Sequence, residues 1–367
     1  MRKIDWVNTT FLVGTPIAAA IFTPIHIYLN GLNWKVLVFF LIYSVMTSMS
    51  ITGGYHRLFA HRSYEARWGV KLFYLLFGAA ALQNSALKWC TDHRRHHRHV
   101  DTETDPYSIN KGFFYAHIGW IFFKEDAAHK GKFAPDLEKD TLVYLQNKYY
   151  LPIAVFMGFG FPTLIGWALG SPFGGLVFGG LVRTVLTQHC TFLINSFCHM
   201  FGKQPYSDKT SARDSFLLAL FTYGEGYHNF HHEFQADYRN GIRWYHWDPT
   251  KWAIRLLSFF GLTHRLKRVR EEEILKAKLR MGEKTLTALV SANLPIVTGL
   301  RIKVETSQER MHRLHAEYIR AKKDFTNHSQ ERFIQLKAEM KMAKLEFKMA
   351  YAQWKTYMKM LRNLNAA

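Results

Sequence analysis

Four apolar stretches dominate the sequence, and each is long enough to leave water altogether. Between Lys3 and Lys35 the only charged residue is Asp5, and Val36 to Gly54 carries no charge at all. Runs of about 20 residues, rising about 1.5 Å per residue, match the ~30 Å hydrocarbon layer of a bilayer. A second pair repeats the plan, with Tyr149 to Leu169, a short Gly170 to Pro172 turn, and Phe173 to Cys198. The pattern predicts an all-α integral membrane protein with four transmembrane helices in two hairpins, at about 9–29, 36–54, 149–169 and 173–198.

The turns inside each hairpin carry almost no positive charge. Arg2, Lys3 and the segments following each hairpin are rich in it. The excess of basic residues marks the cytoplasmic side, so both hairpins are expected to open there, with both termini. No cleavable signal is expected, because the first run is long and lacks a small-residue cleavage site. A fifth apolar stretch, Trp68 to Leu87, contains Lys71, Gln83 and Asn84. It is expected to lie at the interface or against the hairpins, since crossing would put His93–His99 opposite the histidines after the second and fourth spans.

Net charge is +20, and residues 265–367 supply much of it, with 23 Lys+Arg against 11 Asp+Glu. Such a balance points to nucleic acid or an anionic membrane surface, and four spans favour the membrane. Nucleic-acid binding is not expected. Cys90, Cys190 and Cys198 form no C-x-x-C pair, which excludes a zinc ribbon, a thioredoxin site and a disulfide scaffold. Within the last span, Arg183, Gln188 and His189 are polar at depth, and Arg183 reads either as functional or as facing protein.

Three dense histidine patterns stand at the predicted cytoplasmic ends: HRLFAH with His56 and His61, HRRHH with His93, His96 and His97, and HNFHH with His228, His231 and His232. His199 follows the fourth span, four residues after Asn195. Residues three and four apart share one helix face, so each H-x-x-H-H presents three rings to one point. His56 and His61, five apart, fall about 140° apart on a continuous α-helix, so a break or bend is expected between them. Arg94, Arg95 and Arg98 are expected to point away, toward phosphates and solvent.

Neutral imidazole suits iron, zinc, copper and nickel alike, so spacing alone does not name a metal. Nine candidates exceed what one four-coordinate zinc uses, whereas two ions with four or five ligands each use them all. A pair of Glu-x-x-His motifs, as in bundle di-iron proteins, is not found among the histidine patterns: Glu309/His312 lies in the charged tail. H-E-x-x-H is absent too.

The segments GGYHRLFAHRSY, DHRRHHRH, NSFCH and GEGYHNFHHEF, in this order among two hairpins, resemble the membrane fatty-acid Δ9 desaturases of the stearoyl-CoA desaturase type, over about Trp6 to His264. The resemblance implies a cytoplasmic histidine-rich cap holding two Fe ions. It assigns His56, His61, His93, His97 and His232 to one iron, and His96, His199, His228 and His231 to the other, with Asn195 reaching the second through a water. It implies an oxidoreductase that uses O2 and an external electron-donor protein to place a cis double bond in a saturated acyl chain. No haem, flavin or iron–sulfur motif occurs in the chain, in keeping with a separate donor.

In that family a Gln, a Trp and a Thr enclose the bend of the acyl chain, and Gln83, Trp89 and Thr191 match them. Trp89 also reads as an interfacial anchor and Thr191 as helix packing. At the head-group end, Asp92 matches a substrate-binding position, but Thr91 stands where the acyl-CoA pattern has Arg, and Lys124-Glu125 replaces an Arg-Lys pair. Lost cations weaken contact with coenzyme A phosphates. Acyl-CoA is the expected substrate, with a membrane-lipid acyl group its competitor. A membrane di-iron hydroxylase is the chemical rival. A histidine-lined metal transporter or a membrane-anchored scaffold are the other classes, but a transport path needs ligands near the midplane.

Residues 265–367, set apart from a 1–264 membrane domain, show Met311, Leu314, Tyr318, Ala321 and Phe325 at alternating three and four spacing. Asn327-His328-Ser329 offers a turn, and a second series runs Leu336, Met340, Ala343, Phe347, Ala350, Trp354, Tyr357, Leu361 and Leu364. This is a helical hairpin or coiled-coil seam, and lysines around it add attraction to anionic lipid. A pair folded on the cytoplasmic face is favoured over a docking surface for an electron donor or a second subunit.

Overall fold

The structure, a computed structural model, describes residues 3–124, 133–284, 294–323 and 330–366. These form two compact units, Met1–Gln204 with Asp208–Arg268, and Pro205–Ser207 with Val269–Ala367.

The first unit contains four helices long and apolar enough to cross a membrane: α1 (Trp6–Asn30), α2 (Trp34–Ala60), α5 (Tyr150–Ala168) and α6 (Pro172–His199). Between the pairs lie α3 (Trp68–Ala79) and α4 (Ala86–His99), followed after α6 by α7 (His228–Glu233) and α8 (Pro249–Phe259). Asp5 caps α1 by accepting from the Asn8 amide at 3.2 Å, and Asn33 caps α2 through the Lys35 amide at 3.0 Å. Gly31 turns the chain between them at φ 68°, where a side chain would be strained. A two-residue antiparallel ribbon pairs Glu65 with His264 and Ala66 with Thr263.

The apolar run from Trp68 does not form one helix. The 12-residue α3 is too short to span hydrocarbon, and the chain turns before α4 begins. In this turn Leu82 and Asn84 adopt φ of 54° and 76°, a conformation costly for a leucine. Polar side chains hold it: Gln188 donates to the carbonyls of Ala81 and Leu82, and Tyr150 accepts from the Asn84 amide. Ser85 then caps α4 by accepting from the Lys88 amide.

The expected break between His56 and His61 is replaced by a change of helix. Ser50 to Ala60 winds as a π-helix, and the His61 amide donates to the His56 carbonyl at 3.0 Å. At about 4.4 residues per turn, positions five apart fall only about 50° from each other, so both rings reach one side. Gly53 and Gly54 serve close approach rather than an unusual backbone: a Cβ on Gly54 would lie 2.5 Å from the Cβ of Tyr74 on α3. Gly54→Ala is expected to force these helices apart at a cost of about 1–3 kcal/mol. Thermal unfolding in detergent checks this, and a midpoint equal to that of the unsubstituted chain would contradict it.

Arg183 faces protein. Its guanidinium donates to the carbonyls of Gly179 and Gly158 at 2.6 and 3.2 Å and lies 4.9 Å over the Tyr43 ring. Both carbonyls sit in π-helical turns, Gly175–Val182 and Phe156–Gly160, where the ordinary helical pairing is interrupted. Tyr43 donates to the neighbouring Met157 carbonyl.

The second unit contains α9 (Glu271–Lys284), α10 (Leu294–Lys323) and α11 (Gln330–Ala366). α10 and α11 pack as a hairpin, with Leu314, Ala321, Leu336 and Ala343 in one buried cluster and Leu279, Val304, Trp354 and Leu361 in another. The predicted seam is thus the packed face of a helical pair. Phe325, Asn327-His328-Ser329, Glu125 and the side chain of Leu364 lie outside the described residues.

Candidate metal centre

Nine histidines from four segments converge into two groups. His56, His61, His93, His97 and His231 form one, and His96, His199, His228 and His232 the other, and within each group the ligand-capable atoms lie within 4.8 Å of one another. The membership corrects the expected division at one pair: His231 stands in the first group and His232 in the second. On the short helix α7, His228 and His232 are a full turn apart and face the same way, Nε2 to Nε2 at 3.0 Å. His231 is rotated toward His56 and His97, at 3.0 Å from each. The two groups adjoin, since the rings of His97 and His232 stack at 4.3 Å.

Donor chemistry fits a metal in each group. Facing Nε2 atoms lie about 3 Å apart, as for His61–His93 at 2.8 Å and His199–His228 at 3.1 Å. Ligands about 2.1 Å from an ion and roughly at right angles are separated by about 3 Å. The Nε2 of His96 is buried without a hydrogen-bond partner, while its Nδ1 meets Asp105 at 2.9 Å. Burial first, then the field of neighbouring imidazoles, holds His61, His93, His97, His228, His231 and His232 well below the usual histidine range. They are therefore neutral at neutral pH, the form that binds metals.

Several outer nitrogens are held by groups that no sequence pattern marks. Glu225 meets the Nδ1 of His56 at 2.8 Å, and Tyr107 meets that of His93 at 3.3 Å. Ser211 meets the Nδ1 of His199 at 2.7 Å and donates to Asp101 at 2.6 Å. Burial raises the Glu225 carboxyl, but His56 and Arg57 outweigh it and hold the group at about 2. Partners of this kind fix which nitrogen carries the proton and turn the other toward an ion. Glu225 stands three residues before His228 in GEGYHNFHH, yet its partner is His56, far away in sequence, and no local spacing reveals that pairing. Glu225→Gln is expected to weaken metal retention about 10–100-fold. Metal loss to a competing chelator measures this, and unchanged retention would refute it.

The arginines of HRRHHRH do not point away as a set. Arg94 donates to the carbonyls of Phe59 and Ala60 at 2.8 Å and is paired with Asp136, Arg95 is buried near Asp92, and Arg98 lies 6.0 Å over Phe133. Arg94 thus ties α4 to the π-helical turn, bringing two histidine patterns together. Of the other histidines, His117 meets His189 at 3.0 Å and Ser196 at 3.0 Å, and His246 stacks on Tyr227.

A cavity of about 590 Å³ reaches His56, His93, His96 and His228. Gln83, Trp89, Asp92, Thr191 and Asn195 all line it. Gln83 donates to Thr191 at 3.0 Å, and Trp89 stacks on His93 at 4.9 Å, so the cavity wall and the histidine cluster share side chains. Asp92 is engaged by Lys88 at 2.7 Å.

The fatty acid desaturase family model matches residues 32–263. The chain is 41% identical over 287 residues to a probable acyl-CoA desaturase of Schizosaccharomyces pombe, covering 78% of this chain and 59% of that protein. It is 39% identical over 292 residues to acyl-CoA desaturase 1 of Saccharomyces cerevisiae, covering 78% and 56%. With an sn-1 stearoyl-lipid 9-desaturase of Anabaena variabilis it shares 34% over 268 residues, covering 72% of this chain and 94% of that one. The chain thus spans little more than half the length of the first two relatives.

Proposed function

Since the chain belongs to the fatty acid desaturase family, we propose that it is an oxygen-dependent desaturase that introduces a cis Δ9 double bond into a saturated acyl chain, presented as acyl-CoA. The observation that carries this reading is the cavity running from apolar walls to two histidine groups, with Trp89 and Gln83–Thr191 beside them.

The two groups would hold two iron ions, one among His56, His61, His93, His97 and His231 and one among His96, His199, His228 and His232, with Asn195 beside the second through a water. Bound iron supplies reduction of O2 and the oxidising power that an unactivated methylene requires and no side chain has. What the protein contributes is aim. An alkyl chain offers no hydrogen bonds, so Trp89 and the Gln83–Thr191 pair position it by shape alone. Glu225, Asp105 and the Ser211–Asp101 pair keep Nδ1 protonated and Nε2 directed inward. Two electrons arrive from a separate donor protein. The four helices would form two hairpins open to the cytoplasm, with the site and both termini on that side.

A second reading, desaturation of an acyl group on a membrane lipid, is favoured by one sequence observation: Thr91 stands where the acyl-CoA pattern carries Arg. Expression in cells lacking their own desaturase, followed by mass spectrometry of total fatty acids, tests the activity; a new cis-9 monoene is expected, and an alcohol instead would sink it. Purified protein given labelled stearoyl-CoA or a labelled stearoyl phospholipid, with reductant, separates the two substrates.

A further inference from the structure

The outward face of α11 has no role in the site or in the hairpin seam. With about 100° between successive residues, the packed seam of Leu336, Ala343, Ala350, Trp354 and Leu361 occupies one side of the helix. Ile334, Met342, Leu345, Met349 and Met360 form a second apolar row on the outward side, roughly 100–180° around the helix from the seam, each between 46% and 61% exposed. Beside it runs a basic row of Lys337, Lys341, Lys344, Lys348, Lys355 and Lys359, all exposed and continued by Arg362. Among the described residues this row holds no acidic side chain. The acids Glu339 and Glu346 lie on the other flank, paired with Arg332 and with Arg310 of α10.

We propose that this face of α11 binds the surface of an anionic phospholipid bilayer, with the methionine-rich row entering the headgroup boundary and the lysines meeting the phosphates. Lysines suit this position because their stems lie along apolar surface while the ammonium reaches outward. An apolar row flanked by uninterrupted cations is the pattern of a helix lying in a membrane interface. The chain already carries four helices fit to cross a bilayer, so α11 is covalently tethered to one. A second copy fits less well, because the two acids beside this face, Glu339 and Glu346, are already paired with Arg332 and Arg310.

The test uses the full chain in lipid nanodiscs, with a spin label on Met349→Cys and the unsubstituted chain as labelling background. Native Cys90 and Cys198 are buried and Cys190 is half-buried. In discs containing phosphatidylserine, access of a water-soluble nickel chelate to the label is expected to fall about fivefold or more relative to phosphatidylcholine discs, since each basic residue adds about that much attraction. High salt, which shortens the Debye length to about 3 Å at 1 M, should reverse the fall. The K341E/K344E/K348E chain should not show it. Equal access in the two lipids would overturn the proposal. So would protection in lipid-free micelles that grows with protein concentration, which indicates a second copy, or protection appearing only when an acidic protein is added.

Discussion

His96→Ala and His231→Ala are both expected to abolish formation of the monoene, and to differ in how much metal they lose. His96 belongs to the group of four histidines and His231 to the group of five. Removing the first leaves three imidazoles around its ion and removing the second leaves four. Four imidazoles are what the second group has in the unsubstituted chain. Purified His96→Ala should therefore retain about half of the metal, and His231→Ala more than that, though with the same loss of product. His99→Ala provides the control: His99 is in the same run, outside both groups, with its ring edge on Phe133. Elemental analysis alongside fatty-acid analysis checks all three chains. Normal product from either His96→Ala or His231→Ala would count against the ligand assignment.

The second large effect is structural. Arg57 is buried at the end of α2, where it pairs with Glu225 at 2.9 Å and Asp248 at 3.0 Å and donates to the Tyr238 carbonyl at 2.9 Å. The same Glu225 holds His56, so this cluster joins the π-helical turn to the segments around α7 and α8. Taking charges out of water is costly, and a buried pair becomes far more so when one partner is removed. Arg57→Met leaves two carboxylates without their cation and is expected to cost about 3–5 kcal/mol. Thermal unfolding in detergent should show a large fall in midpoint. Adding Asp248→Asn should recover part of it, because one stranded charge is then gone. A midpoint for Arg57→Met equal to that of the unsubstituted chain would contradict this account of the cluster.

What the sequence discloses and what it conceals follow from the range of the interactions involved. Hydrophobicity is a local property, so the four long helices emerge within a few residues of their predicted limits. Spacing along a helix is local too, which is why His93 and His97 on α4, one turn apart, are legible as a pair that shares a group, whereas His96 beside them turns to the other group rather than to the same point. The π-helical turn was not recognisable, because it depends on Tyr74 packing onto Gly53–Gly54 and on Tyr64 donating to the Gly53 carbonyl at 2.8 Å. The exchange of His231 and His232 has a similar origin: adjacent residues point about 100° apart, and only the docking of α7 decides which ring meets which group. Arg94 seemed a solvent residue because its carbonyl partners, Phe59 and Ala60, lie in another histidine pattern. The carboxylates behind the histidines were hidden for the same reason, since Glu225 and His56 are joined only in three dimensions.

Two ions held by nine imidazoles are the centre of the proposed activity, and counting iron in the purified chain while assaying its turnover tests this most directly. Two irons per chain are predicted, with product formation rising in step with iron content on reconstitution. A preparation free of iron that still forms the double bond at full rate would contradict it.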